Sequence, residues 1–361
     1  MDKNRYCVIM AGGIGSRFWP ISRRTMPKQF LDILGMGKSF IRMTYERLRP
    51  VVADENFFVV TNAAYKSLVL EQLPELRPEQ VLCEPVGRNT APCIAFAAFH
   101  ISAVNPQAEM IVTPSDHLIL NEKEFVRSVE QAFDFVHANS VLMTIGVTPN
   151  RPDTGFGYIQ QSKQPDPTGH IDRVKTFTEK PNLEMAKVFL ASGEFLWNAG
   201  IFLWRASDIL AALERYLPDT YGMFKTIEAD FGTRREQTSI DNVYAGCRPI
   251  SIDFGVMEKA DNVYVRISDF GWSDIGTWGS LYQYSDKNDN GNVLSDNVMT
   301  YDTRDCIVKL PEGRLAVVEG LAGYIVVESA DGVLMICRRE HEQNIKMFID
   351  NVQYAKGDKF I

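Results

Sequence analysis

The residues with the clearest chemical potential lie in Ala11-Gly12-Gly13-Ile14-Gly15-Ser16-Arg17-Phe18-Trp19-Pro20, directly after an apolar run at 6–10. Glycines let a backbone turn sharply and bring several N–H groups close to one anion. Arg17 adds a fixed cation whose planar fork suits phosphate oxygens. Lys28 follows in Pro27-Lys28-Gln29-Phe30. A compact ammonium beside a triphosphate would offset the charge that develops as pyrophosphate leaves. Ala11, Gly12, Gly13, Gly15 and Ser16 are therefore candidate nucleotide contacts, with Arg17 and Lys28 as candidate catalytic cations. Two rival phosphate motifs fail. A dinucleotide fingerprint needs glycine where Phe18 stands, and a P-loop ending at Gly37-Lys38-Ser39 needs glycine where Asp32 stands. The glycines alone would also suit an ordinary strand-to-helix turn. Arg17, Trp19-Pro20 and Pro27-Lys28 beside them favour the anion site.

Two aspartates are candidate metal ligands. Asp116 follows a strand-like run at 110–113, and open α/β sheets gather ligands at that end of their strands. Asp274 lies in Trp272-Ser273-Asp274-Ile275-Gly276. Two such carboxylates, if they meet, could hold Mg2+, which takes carboxylates together with substrate phosphate oxygens. Each alone could instead act locally, Asp116 capping a turn and Asp274 capping a helix that begins near Thr277. His117 reads as a supporting neighbour rather than an acid–base group.

The elements that must position these groups follow from hydrophobic patterning. Short, mostly apolar runs at 6–10, 57–60, 110–112, 141–147 and 201–204 suit strands covered on both faces. Helical stripes separate them, at 39–48, 90–104, 122–137, 183–191 and 208–217. Gly193 is placed to end the fourth, and Ser207 to cap the last. Strand alternating with helix predicts an α/β unit with a mainly parallel sheet. A polar, turn-rich stretch at 285–292 reads as a linker. Short β-like runs follow at 307–310, 315–318, 324–327 and 333–337, then a helix-like 340–348.

Composition narrows the function classes. The chain has 361 residues, long enough to bury a full core without disulfide staples. Lys plus Arg number 38 against 46 Asp plus Glu, a net charge of −8 that argues against a general nucleic-acid binder. The six cysteines form no Cys-x-x-Cys pair, and only Cys337 and His341 are near enough to act as paired ligands. That pattern points to buried free thiols in a reducing compartment rather than to zinc. No targeting segment is evident at the start of the chain, and no run approaches the ~18 apolar residues of a membrane span. A cytoplasmic protein with no membrane partner is expected.

Residues 11–30 resemble the signature of the sugar-nucleotide pyrophosphorylases, nucleotidyltransferases that act on sugar 1-phosphates. Within that family the wording is similar to the guanylyltransferases for mannose 1-phosphate. The segments that carry the resemblance begin with Phe18-Trp19-Pro20-x-Ser22-Arg23, Pro27-Lys28-Gln29-Phe30, Glu84-Pro85-x-Gly87-Arg88-Asn89-Thr90-Ala91-Pro92 and Pro114-Ser115-Asp116-His117. They continue with Gly155-Phe156-Gly157-Tyr158-Ile159, Phe177-x-Glu179-Lys180-Pro181, Trp197-Asn198-Ala199-Gly200-Ile201-Phe202 and Trp272-Ser273-Asp274-Ile275-Gly276. Together they cover about residues 5–285 in the family's order.

The resemblance implies a Rossmann-like catalytic domain over 1–285, with a mixed, mainly parallel sheet, and a small β-rich domain over 286–361. Stacked strands there would be similar to the left-handed β-helix tails of relatives. Some members carry a fused isomerase domain of cupin fold, for which this chain is too short. The implied reaction joins GTP to mannose 1-phosphate, giving GDP-mannose and pyrophosphate with Mg2+, in a homodimer. The turn Glu84, Pro85, Arg88, Asn89 and Thr90 would read the base, with Ser115 also on the nucleotide. Glu84 or a backbone carbonyl could accept from guanine N–H groups, while Asn89 or Thr90 could merely cap the following helix. Lys180 would grip the sugar phosphate. Gly157, Glu179, Asn198 and Asp253 would contact the hexose. As local alternatives, Glu179 and Lys180 could form a surface ion pair, and Asn198 could bond its own turn. Two other functions remain open: a nucleotidyltransferase for another base or sugar, and a non-catalytic subunit that binds sugar nucleotide. The second should have lost Arg17, Lys28 or an aspartate, and this chain retains all of them.

Overall fold

The apolar runs become strands of one nine-stranded sheet in the computed structural model, which describes residues 2–361. From one edge the order is Val81–Glu84, Phe57–Asn62, Arg5–Ala11, Glu109–Pro114, Phe195–Arg205, Leu142–Val147, Val263–Ser268, Ile171–Thr178 and Tyr158–Gln161. The first four are parallel. Their Val, Ile and Phe side chains are buried on both faces, as parallel strands under crossover helices require. Helix Thr90–Val104 is buried continuously from Ala91 to Ile101, which explains its lack of a polar stripe.

The other half adds the antiparallel pairs of the expected mixed, mainly parallel sheet. Phe195–Arg205 runs antiparallel to both neighbours, Glu109–Pro114 and Leu142–Val147, and the far-edge strands also pair antiparallel. One eleven-residue strand enters from the opposite end, and Leu142–Val147 beyond it resumes the direction of the first four. One expectation is corrected: Ser207 lies inside helix Ala206–Tyr216 rather than capping it. Gly193 does end Leu183–Ser192 in a left-handed conformation, at φ 63°.

The chain divides into two compact units, each built from segments distant in sequence. One comprises the chain up to Gly12, Ile41–Ser115 and Ile119–Trp272; the other comprises Gly13–Phe40, Asp116–Leu118 and Ser273–Ile361. The first contains the nine-stranded sheet and its helices. Residue 285 therefore falls inside the second unit.

In the second unit, three parallel pairings recur at one spacing. Ile307 pairs with Ile325, Val298 with Ala316, and Arg304 with Ala322, each eighteen residues on. Stacked coils of that period let each turn bury its apolar side on the next. The polar stretch at 285–292 is no slack linker. Asn292 is buried, donates to Thr303 O and accepts from Cys306 N–H, so it starts the stack. The final helix is Ile345–Lys356, later than the sequence pattern suggested, after a 3-10 segment. All six cysteines are free and buried. Among the described residues, no helix is long and apolar enough to cross a membrane.

Candidate active site

The second unit holds the cationic loop. Gly12 to Ile14 are exposed, and Ser16–Phe18 forms a short 3-10 turn. Gly15 has φ 68°, and a Cβ there would lie 2.3 Å from Lys28 Cβ. Only glycine allows the loop to lie flat along the lysine stem. Lys28 N–H donates to Ile14 O at 3.2 Å, which ties the two signature segments together. Arg17 is exposed, and no carboxylate pairs with it among the described residues.

Lys28 is buried, with 3% of its side chain accessible. Its ammonium donates to Asp116 O at 3.2 Å, Asp116 Oδ2 at 3.0 Å and Asp274 O at 2.7 Å. The rings of Phe40 and Phe18 stand 5.0 and 5.7 Å away. One ammonium thus bonds the carboxylate of Asp116 and the backbone carbonyls of Asp116 and Asp274. Burial pushes the Asp116 carboxyl up, but the Lys28 ammonium and His117 outweigh it and hold it below the usual carboxylate range. Asp274 does not cap the following helix. Thr277 does, accepting from Ser280 N–H at 3.2 Å. Asp274 Oδ1 instead accepts from Gly276 N–H across Ile275, which has φ 41°. A buried β-branched residue in the left-handed region is strained, and strain of that kind collects at functional sites.

The loop is buttressed by the last ninety residues. Arg23 makes paired bonds of 2.6 and 2.7 Å to Asp331, the Trp19 indole donates to Phe360 O at 2.7 Å, and Lys309 donates to Ile33 O. None of these partners was visible in the signature segments themselves.

The first unit holds two further clusters. Glu84 ends the edge strand Val81–Glu84 and is 5% exposed; its Oε1 accepts from Tyr244 O–H at 2.9 Å. Burial, against the smaller opposing effect of that hydrogen bond, pushes its carboxyl up to about 7. Pro85 is exposed, and Arg88 Nε donates to Tyr244 O at 3.1 Å. Asn89 does cap helix Thr90–Val104, accepting from Thr90 N–H. The Thr90 hydroxyl accepts from Ile252 N–H at 2.8 Å, one residue before Asp253. Ser115 is buried, and its backbone bonds Met10 O and Thr44 Oγ1. Ala11 is also buried, its carbonyl accepting from Thr61 Oγ1.

The five sugar-site candidates meet. Asn198 Nδ2 donates to Asp253 Oδ1 at 2.9 Å, while Asn198 Oδ1 accepts from Thr144 Oγ1 and Gly200 N–H, both at 3.1 Å. These bonds fix the amide orientation. Gly157 O accepts from Asn198 N–H at 2.8 Å. Burial, helped by Glu179, raises the Asp253 carboxyl to about 6. Lys180 is exposed and pairs with Glu179 at 2.5 Å. A Cβ on Gly157 would come 2.7 Å from Glu179 Oε2. Gly157→Ala should therefore push that carboxylate aside at little cost to folding. Steady-state kinetics should show the KM for the sugar phosphate rising about tenfold, with the nucleotide KM and the melting temperature nearly unchanged. An unchanged sugar-phosphate KM would remove Gly157 and Glu179 from the site.

Tyr244 and Thr144 escaped sequence reasoning. Tyr244 lies 160 positions from Glu84 in a helix without a motif, and Thr144 is one polar residue in an apolar strand.

A divalent cation fits the second unit's donor set. Mg2+ typically takes one or two carboxylates and completes its shell with water and phosphate. Asp116 and Asp274 would supply two hard oxygen donors, and no group of three or more His, Cys, Asp or Glu suited to a metal occurs among the described residues.

Comparison with known proteins places this geometry in context. A model of the nucleotidyl transferase family matches residues 6–291. A mannose-1-phosphate guanylyltransferase of Klebsiella pneumoniae is 37% identical over 98% of this chain and 75% of its own length. The alginate biosynthesis protein AlgA of Pseudomonas fluorescens is 37% identical over 96% of this chain and 71% of its own. The chain thus spans about three quarters of the length of such relatives. A crystal structure from Thermus thermophilus, described as a mannose-1-phosphate geranyltransferase, superposes with a TM-score of 0.86 at 27% identity, covering 97% of this chain and 99% of that one.

Proposed function

Because the chain belongs to the nucleotidyl transferase family, we infer that it transfers the GMP unit of GTP to mannose 1-phosphate, giving GDP-mannose and pyrophosphate. The observation that carries this reading is the buried Lys28 ammonium beside the glycine loop, bonded to the Asp116 carboxylate and to the backbone carbonyl of Asp274. Names of relatives at 37% identity support the choice of base and sugar.

A phosphate oxygen of mannose 1-phosphate attacks the α-phosphorus of GTP in line. A new P–O bond forms as the bond to the β-phosphate bridging oxygen breaks. The attacking phosphate is already anionic near neutral pH, so no general base is required, and placement and charge neutralisation carry the catalysis. Arg17, with backbone N–H groups of residues 11–16, binds the triphosphate. Asp116 and Asp274 would hold Mg2+, which when bound neutralises phosphate oxygens. Glu84, held by Tyr244, accepts from guanine N–H groups. Lys180 binds the sugar phosphate, while Glu179, Asn198 and Asp253 orient hexose hydroxyls.

The eighteen-residue period supports reading the C-terminal coils as a left-handed β-helix. Apolar side chains left exposed on Met299, Tyr301, Leu315 and Val317 support a homodimer. The buried free thiols support a cytoplasmic setting.

A pyrophosphate-release assay over a panel of nucleoside triphosphates and sugar 1-phosphates tests the reading. GTP with mannose 1-phosphate should give the highest kcat/KM, and chelation of divalent cations should abolish turnover. A different preferred pair would overturn the assignment.

A further inference from the structure

We propose that the Lys28 ammonium is the exchangeable counter-cation of the Asp116 carboxylate. It ties that carboxylate to the backbone of Asp274 in the free protein and leaves when a divalent cation enters with the nucleotide. This rests on reading the aspartates as the cation's ligands.

An ammonium has three N–H donors, and those of Lys28 go to Asp116 O, Asp116 Oδ2 and Asp274 O. None remains for a phosphate oxygen while that arrangement holds. The side chain is also nearly sealed from solvent, 3% accessible, whereas Asp116 keeps 34% of its side chain exposed. A buried ammonium needs an opposite charge close by, and among the described residues Asp116 is the carboxylate that forms an ion pair with it. A divalent cation at Asp116 would meet a positive charge already 3.0 Å from Oδ2. Two cations on one carboxylate oxygen repel each other strongly where solvent is scarce.

The stem shows where the ammonium would go. Lys28 Cβ lies directly against Gly15, and Lys28 N–H is bonded to Ile14 O. An ammonium that leaves the aspartates therefore swings on a stem anchored beside the phosphate loop. A four-carbon chain permits that rotation with no backbone change. The exchange leaves each cation with an anionic partner: as the metal takes the Asp116 carboxylate, the lysine takes a phosphate. It follows that the free protein should bind divalent cations weakly, and that nucleotide should strengthen the binding.

Mn2+ binding to the full-length protein, followed by electron paramagnetic resonance without nucleotide, tests this. Lys28→Met and Lys28→Gln remove the charge, and glutamine can still donate to the same carbonyls. Both should bind Mn2+ at least about tenfold more tightly than the wild type. GTP should tighten Mn2+ binding in the wild type much more than in either variant. Circular dichroism identifies any variant that fails to fold, in which case the nucleotide dependence in the wild type decides. Affinity in a folded variant no tighter than the wild type, or wild-type affinity indifferent to GTP, overturns the proposal. Asp116→Asn in the Lys28→Gln background separates the underlying reading. If that change leaves Mn2+ binding untouched, the aspartates are not the ligands. If it abolishes binding that Lys28→Gln did not tighten, only the counter-cation role fails.

Discussion

Asp116→Asn is expected to lower pyrophosphate release by about a thousandfold at saturating substrates and Mg2+, a loss of about 4 kcal/mol of transition-state stabilisation. Asparagine keeps the shape and one oxygen for Lys28, so the substitution isolates the charge. That charge is present at neutral pH because Lys28 and His117 overcome the effect of burial on the carboxyl. A carboxyl held below its usual range contributes stability above about pH 4, lost as pH falls through its depressed folded value. The variant should therefore also melt several degrees lower near neutrality, since the buried Lys28 ammonium loses its ion-pair partner. The two effects separate by experiment. Calorimetry reports the stability change, and turnover measured well below the melting point reports the charge at the site. Turnover within tenfold of the wild type would remove Asp116 from the chemistry.

Glu84→Gln is expected to act in opposite directions on stability and function. Burial raises the wild-type carboxyl from 4.5 to about 7. The folded protein then holds a proton that the unfolded chain has already released, so Glu84 makes stability fall as pH rises from about 4.5 to about 7. Above that window the full penalty applies, roughly 3 kcal/mol from the size of the shift. Glutamine carries no such penalty and can still accept from Tyr244. The variant should melt at a higher temperature than the wild type at pH 8 and at nearly the same temperature at pH 4. Its KM for GTP should rise by one to two orders of magnitude, because an amide N–H then opposes guanine donors. A buried carboxylate kept at a cost to stability is what a base-reading role would require. Matching melting curves at pH 8, or an unchanged GTP KM, would contradict that role.

How far the residues alone reveal this molecule depends on the range of the interaction. Helix Thr90–Val104 was predicted with its observed bounds because its cap and apolar content are local. The loop at 12–15 was readable for the same reason, since glycines and Pro20 mark it without reference to the rest of the chain. Strand direction was not. A strand buried on both faces, such as Phe195–Arg205, has the same residue pattern whichever way it runs. Its antiparallel sense depends on neighbours far away in sequence. The sugar cluster could be gathered by motif, yet the bonds that orient Asn198 needed Thr144 and Asp253, each more than fifty positions away. Lys28 shows the same limit most sharply. Its residue type and position suggested a hand for phosphate, and only the fold reveals that its three donors are occupied by the aspartates. The 3-10 turns and coils that buttress the loop from 309 to 360 have no signature at all, because a bond to a backbone carbonyl leaves no trace in residue type.

The most direct measurement is a crystal of this protein grown with Mn2+ and a non-hydrolysable GTP analogue, with anomalous scattering used to locate the metal. The account predicts one strong peak about 2.2 Å from a carboxylate oxygen of Asp116 and of Asp274, with the Lys28 ammonium moved onto phosphate oxygens. A peak bound by neither aspartate, or a Lys28 still bonded to both with the nucleotide in place, would contradict it.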